Sequence, residues 1–256
     1  MPGTDDRMRT SLGKAELDRV LVRGRDLTEE LMGTVSYTEM IPLMLLGRLP
    51  GAGERRMLDA LLVSLVEHGL VKPVVTARFV YSNAPESLQA AVAASLLGAG
   101  SRHLGSSEGC ARVLQEMATE MGDNLEGAAQ RIVSEHGATR ARIPGIGHRT
   151  HAGGDPRAER LLVIARETET HGRHSWILER VAIIAGERSG RPLPVNVTGA
   201  IAAIASDMGY RWEITRGFAL IARTLGALAH IQEEIDEPLA DRLIRQIQRS
   251  VEYDMT

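Results

Sequence analysis

Apolar residues recur at three- and four-residue spacing along almost the whole chain, in segments at about 13–22, 27–32, 36–47, 53–67, 86–98, 105–121, 123–136, 155–170, 172–188, 197–208, 212–232 and 238–248. That spacing puts the apolar side chains on one face of a helix, whereas a strand would need them at every second position. Ala, Leu, Glu, Arg and Met dominate and β-branched runs are short, so helix propensity agrees with the spacing. The expected class is all-α. Thr28, Ser36, Asp123 and Thr198 stand where helices should be capped or nearly so, and Gly69, Gly122, Gly137, Gly172 and Gly209 stand where helices should stop.

A chain of 256 residues is long enough for one large domain, or for a domain with a smaller lobe, around a well-buried core. Its formal charge of -3 and pI near 6.3 give no general pull toward nucleic acid. No apolar run approaches the roughly 20 residues of a membrane span, because the stretch from Ile41 to Leu46 is soon interrupted by Arg48 and Pro50. Met1 to Arg9 are polar and charged without the apolar core of a signal peptide, and read as a frayed tail of a cytoplasmic protein. The single cysteine, Cys110, has no internal partner for a disulfide, and its apolar helical setting favours a buried inert thiol over a nucleophile. There is no repeat period and no low-complexity segment.

Two segments are rich in small residues and apolar on most faces: Ala90 to Gly100 and Thr198 to Ala205. Helices of this kind are buried, and small side chains let neighbouring backbones approach closely. A central core position is favoured over a subunit contact for both.

The stretch Ile143-Pro144-Gly145-Ile146-Gly147-His148, followed by Arg149 and by Asp155-Pro156-Arg157, breaks the helical pattern. Its proline and glycines exclude helix and leave a histidine on a bent backbone. Taken alone it reads equally well as a helix connector with an incidental histidine. Three of the eight histidines sit at expected element ends, His68 before Gly69, His103 after Gly100 and His148 after Gly147. An imidazole near its unperturbed pKa can donate a proton, accept one or hold a carbonyl oxygen, yet a lone histidine is more often structural. No metal site is expected, because the histidines lack the His-x-x-x-His or Cys-rich spacing of ligand sets.

The loop resembles the second catalytic-histidine loop of the citrate synthase superfamily. Further matches run in family order: Arg23-Gly24-Arg25-Asp26-Leu27, Gly47-Arg48-Leu49-Pro50, Glu67-His68-Gly69, Gly100-Ser101-Arg102-His103, Pro194-Val195-Asn196-Val197, and Ala222-Arg223-Thr224-Leu225-Gly226 with Ala229-His230. The resemblance implies a citrate synthase-like multi-helix fold, a large helical part with a smaller helical lobe. On it, residues 1–20 are an N-terminal tail and the start of a first helix, and 21–256 are the catalytic domain, with the small lobe roughly at 100–200. A homodimer through packed helix pairs is also implied. The length is that of the short citryl-CoA lyase module found in ATP-citrate lyase, and considerably less than that of a full citrate synthase.

The same resemblance implies a site. His148 would hydrogen-bond the electrophilic carbonyl or the product hydroxyl, His103 would polarise the acyl-CoA carbonyl, and His68 would stand at the substrate pocket, as in citryl-CoA lyase domains. Arg157 and Arg223 would grip carboxylates through their planar forks; read without the resemblance, they are a helix-surface charge and a snorkelling side chain. A further arginine for the acid would be Arg245 or Arg249. Pro144, Gly145, Ile146 and Gly147 would lie against the pantetheine and diphosphate of CoA. The implied partners are a CoA thioester and a small carboxylic acid, both substrates, with no permanently bound cofactor. No phosphate-binding Gly-x-x-x-x-Gly-Lys-Ser/Thr loop occurs in the chain, so ATP-driven activation of an acid would fall to another protein.

One position departs from the family pattern. Where the family has an aspartate after Asn-Val, as base for the α-proton of the thioester, this chain has Thr198. A hydroxyl has no accessible deprotonated form near neutrality. Asp207 lies nine residues on, over two helical turns away, and is expected to cap or pair structurally. Three outcomes are open: another group such as His68 or a borrowed carboxylate serves as base; the reaction is cleavage of a 3-hydroxyacyl-CoA that needs no such base; or the chain is a non-catalytic CoA-thioester-binding homologue or regulatory subunit. Carbon–carbon cleavage or condensation of citryl-CoA lyase type is the expected activity.

Overall fold

The computed structural model describes residues 8–100, 106–139, 141–147 and 154–254. Eleven α-helices occur among them, after a short antiparallel sheet near the N-terminus.

The sheet corrects the first expected helix. Residues 13–22 form β1 (Gly13–Ala15) and β2 (Val20–Val22), which pairs on with β3 (Arg25–Asp26) in the order β1-β2-β3. Lys14 faces Leu21, and Leu21 faces Asp26. The physical reason lies in the turns. Arg23 and Gly24 both have positive φ, 51° and 79°, as a two-residue turn between antiparallel strands requires. Glu16 donates its N–H to the Arg19 carbonyl at 2.8 Å, closing the other turn before a helix could nucleate. The next segment is a single wide π turn over Leu27–Leu31, capped by the Asp26 carboxylate through the N–H groups of Thr28 and Glu29; Asp26, not Thr28, is the cap.

Helix α1 (Tyr37–Leu46) starts on a reciprocal capping box between Ser36 and Glu39 and ends on Gly47 at φ 76°. After α2 (Ala52–Leu65) comes α3 (Lys72–Asn83), a helix that the apolar spacing did not reveal. Pro73 reads as a breaker there, yet in the first turn of a helix its missing N–H costs nothing. The chain continues through α4 (Leu88–Leu97), α5 (Ser106–Met121), α6 (Leu125–Thr139), α7 (Pro156–Glu167) and α8 (Arg173–Ser189). Gly137 lies inside α6 rather than ending it, and Gly172 is the N-cap of α8 rather than a stop for α7. Last come α9 (Val197–Asp207), α10 (Thr215–Asp236), preceded by a 3-10 turn at Trp212–Ile214, and α11 (Ala240–Ser250).

Helix α9 organises the core. Val197 and every residue from Gly199 to Ser206 are buried, and the helix forms a wall shared by two apolar clusters. On one side Ile201 and Ile204 pack with Leu58, Leu61, Leu161 and Phe218 from α2, α7 and α10. On the other, Ala202 and Ala203 pack with Leu114, Ile132, Ile177 and Val181 from α5, α6 and α8. Alanine on both faces is what permits helices to close in on both. The other small-residue segment behaves differently. Within α4 only Ala91 and Ser95 are buried, and Leu97 is 87 % exposed, so this helix covers the core with one face and leaves an apolar face uncovered in the single chain.

Candidate active site

The loop at 143–147 is pinned to the start of α9. Gly147 donates its N–H to the Pro194 carbonyl at 2.7 Å, and Gly145 accepts from the Asn196 N–H at 3.0 Å. Gly145 and Gly147 have positive φ, 85° and 74° respectively. A Cβ on Gly145 would lie 2.6 Å from Cys110 Sγ and 2.8 Å from Gly199 Cα, and one on Gly199 would run into the Gly145 carbonyl oxygen. The Gly145–Gly199 contact is therefore a close backbone approach that no side chain permits. Cys110, sealed beneath it, is 2 % exposed, and burial pushes its thiol pKa up to about 12, as suits an inert thiol.

Asn196, rather than Thr198, caps α9. Its Oδ1 accepts from the Gly199 N–H at 3.0 Å and from the Thr198 hydroxyl at 2.7 Å, while its Nδ2 donates to the Gly147 carbonyl at 2.8 Å. Thr198 Oγ1 in turn accepts from the Ser106 hydroxyl, at the first residue of α5, at 3.0 Å. The hydroxyl proton of Thr198 is thus committed to a side-chain amide oxygen. Ser106 had no sequence signal, since its role depends on a contact 92 residues away.

Asp155 ties the starts of α7 and α9 together. It is fully buried. Its Oδ1 accepts from the backbone N–H and the Nε of Arg157, both at 3.1 Å. Its Oδ2 accepts from Arg157 Nη2 and from the Val197 N–H, again at 3.1 Å. Burial works against the charge, yet the Arg157 guanidinium and the Val197 N–H hold the carboxyl below the ordinary range for aspartate. One edge of the Arg157 fork is consequently taken by the protein itself.

Arg223, on α10, is placed differently. Its Nη1 is buried without a hydrogen-bond partner among the described residues. Burial disfavours its charge, the carboxylate of Glu67 favours it, and the nearby Arg157 guanidinium disfavours it. Arg223 and His68 line one cavity of about 50 Å³ with Val71, Pro73, Val74, Ser95, Leu96 and Ala99. A guanidinium that lines a largely apolar cavity and keeps one nitrogen unpaired suits an anionic acceptor.

Of the residues singled out in the sequence, the structure brings His68 and Arg223 into one cavity, sets Arg157 electrostatically beside Arg223, and links Arg157 through Asp155 to the residue preceding Thr198. Gly145, Ile146 and Gly147, which follow Pro144, lie against the same helix start. His103 and His148 lie outside the described residues. Arg245 and Arg249 are exposed on α11. Among the described residues no cluster of three or more His, Cys, Asp or Glu side chains could hold a metal, and no helix is long and apolar enough to cross a membrane.

The family model "Citrate synthase, C-terminal domain" matches residues 19–246. Citrate synthase 2 of Bacillus subtilis (strain 168) is 29% identical over 200 residues, covering 78% of this chain and 51% of its own length. The chain thus spans about half the length of the curated citrate synthases it matches. Among solved structures, citryl-CoA lyase from Hydrogenobacter thermophilus superposes with a TM-score of 0.87 at 38% identity, covering 97% of this chain and 95% of that one. The fold is also that of an ATP citrate lyase from Methanosaeta concilii, with a TM-score of 0.78 at 21% identity over 99% of this chain and 42% of that one. The chain belongs to the citrate synthase family, a family of enzymes.

Proposed function

We propose that this chain makes or breaks a carbon–carbon bond β to a CoA thioester, as a citryl-CoA lyase-type enzyme acting on a 3-hydroxy-3-carboxyacyl-CoA. The observation that carries the reading is Arg223 itself, which lines a cavity with His68 and has a buried Nη1 without a hydrogen-bond partner among the described residues. The near full-length likeness to citryl-CoA lyase from Hydrogenobacter thermophilus supports it.

In the cleavage direction the 3-hydroxyl gives up its proton, the adjacent carbon–carbon bond breaks to leave a 2-oxo acid, and the bonding electron pair passes to the thioester as an enolate, which takes a proton at carbon. Arg223 holds a carboxylate of the acid throughout, and the free edge of Arg157 holds another. By the family resemblance His148 serves the hydroxyl and His103 the thioester oxygen, with His68 at the acid. Thr198 orders the start of α9 through Asn196 and leaves protonation of the enolate carbon to a histidine or to water. Pro144 to Gly147 offer the backbone against which CoA lies. The acting unit is a homodimer.

A second reading rests on Thr198, whose hydroxyl proton is engaged by Asn196: the chain binds a CoA thioester without turning it over. Calorimetric titration with CoA and with a panel of 2-oxo acids, followed by mass spectrometry of the chain mixed with acetyl-CoA and the acid that binds, separates the two. Condensation product supports the enzyme, while binding of both ligands with no product supports the second reading.

A further inference from the structure

One face of α10 carries Arg223, Gly226, His230 and Glu234, spaced three and four residues apart and therefore stacked along the helix. A Cβ on Gly226 would run into the Val66 carbonyl oxygen, so glycine there lets α10 press against the end of α2, just where Glu67 and His68 leave it. Beyond it lies Arg78 of α3, an arginine only 1 % exposed. Its Nη1 donates to Glu234 at 3.0 Å, and its Nη2 to Glu233 and to His230 Nδ1, the latter at 3.0 Å.

A guanidinium has donors and no acceptor, so His230 Nδ1 must accept. The ring proton then sits on Nε2, which donates to Glu67 Oε2 at 3.1 Å. Glu233 Oε2 lies 3.8 Å from Nδ1, beyond hydrogen-bond reach, and is itself bonded to Arg78. The other oxygen of Glu67, Oε1, accepts from the backbone N–H of His68 at 2.8 Å. Burial works against the Glu67 charge, but the bonds from His230 and from the His68 N–H hold its carboxyl below the ordinary range.

We propose that Arg78, His230 and Glu67 form a positioning relay that fixes the backbone at His68 and keeps the Glu67 carboxylate from closing onto Arg223. Both oxygens of Glu67 are engaged, so its charge steadies the half-buried Arg223 guanidinium from nearby while that guanidinium, at the wall of the cavity, is left uncommitted by Glu67 for a substrate carboxylate. None of the three residues touches the reacting atoms. This inference rests on the proposed function for the identity of the acid and stands by itself for the tautomer of His230.

The test uses the 256-residue chain with oxaloacetate and CoA as separate probes. His230→Leu frees one oxygen of Glu67 to compete for Arg223, so oxaloacetate affinity falls by about tenfold or more, with CoA affinity unchanged. His230→Gln, whose amide presents an acceptor and a donor flanking one carbon as the imidazole does, restores oxaloacetate binding. In a Glu67→Gln background the competing carboxylate is gone, and His230→Leu then costs much less than in the native background. Oxaloacetate affinity untouched by His230→Leu, or an equal loss in both backgrounds, overturns the relay. If the native chain binds no oxaloacetate and no CoA, the functional reading is what fails. Ring nitrogen NMR then decides the relay alone: Nε2–H at His230 supports it, and Nδ1–H overturns it.

Discussion

Thr198 stands where the family pattern has an aspartate, and its hydroxyl is held between Ser106 and Asn196. Replacing it by aspartate puts a carboxylate in the first turn of α9, where the helix N-terminus favours negative charge. Thr198→Asp is expected to raise exchange of solvent deuterium into the methyl group of acetyl-CoA by a factor within the roughly 10²–10⁴ range of general base catalysis. No gain in exchange would mean that position 198 does not face the reacting carbon. Arg223→Lys keeps a charge and loses the fork, so it should weaken oxaloacetate binding much more than CoA binding in calorimetry; equal loss of both would contradict the division of labour. At this scale the sequence was legible where chemistry is local to a motif. Cys110 reads as a buried thiol from its neighbours alone, and Asp207 reads as structural from its distance along the helix. Asp155, Glu67 and Ser106 acquire their roles from partners 42, 163 and 92 residues away, and no spacing rule reaches that far.

Asp207 shows how a single side chain sets an element. Its carboxylate accepts from the N–H groups of Gly172, His174 and Ser175 at 2.8–3.0 Å and from the His174 ring at 2.9 Å, so the last residue of α9 caps the first turn of α8. Burial opposes the charge, but these bonds hold the carboxyl below the usual aspartate range. Since the folded value lies below the unfolded one, about 3.9, the stabilisation is present above that unfolded value and is lost as pH falls through the folded one. Asp207→Asn is expected to destabilise the protein by about 1–3 kcal/mol at neutral pH. The difference in denaturant midpoint from the native chain should shrink as pH is lowered below about 4. A constant difference over that range would assign the loss to packing instead of charge. Helices with long apolar stripes were legible in the sequence. The hairpin at 13–26 was not, because three-residue strands leave too short a pattern and their turn depends on a positive φ at Arg23, a residue with no preference for it. Helix α3 was hidden because Pro73 signals a break and a start equally.

Across the whole molecule, burial is lopsided. Helix α9 is buried from Gly199 to Ser206, whereas Leu97 on α4 and Ile244 and Ile247 on α11 are 87 %, 42 % and 50 % exposed, and only Ala240 of α11 is buried. We propose that these exposed apolar side chains meet a second copy of the chain. Sedimentation should give a dimer, and Ile247→Asp with Ile244→Asp should shift it toward monomer; a monomeric native chain at micromolar concentration would contradict the homodimer. The all-α class followed from periodicity, while the uncovered face of α4 did not, since the sequence of a small-residue helix does not say how many neighbours it has. The account as a whole turns on whether the cavity shared by His68 and Arg223 serves carbon–carbon cleavage. Mixing purified chain with citryl-CoA and following the thioesters by mass spectrometry over time tests this most directly. The account predicts stoichiometric conversion to acetyl-CoA and oxaloacetate, lost in Arg223→Lys; citryl-CoA that stays intact while CoA still binds would contradict it.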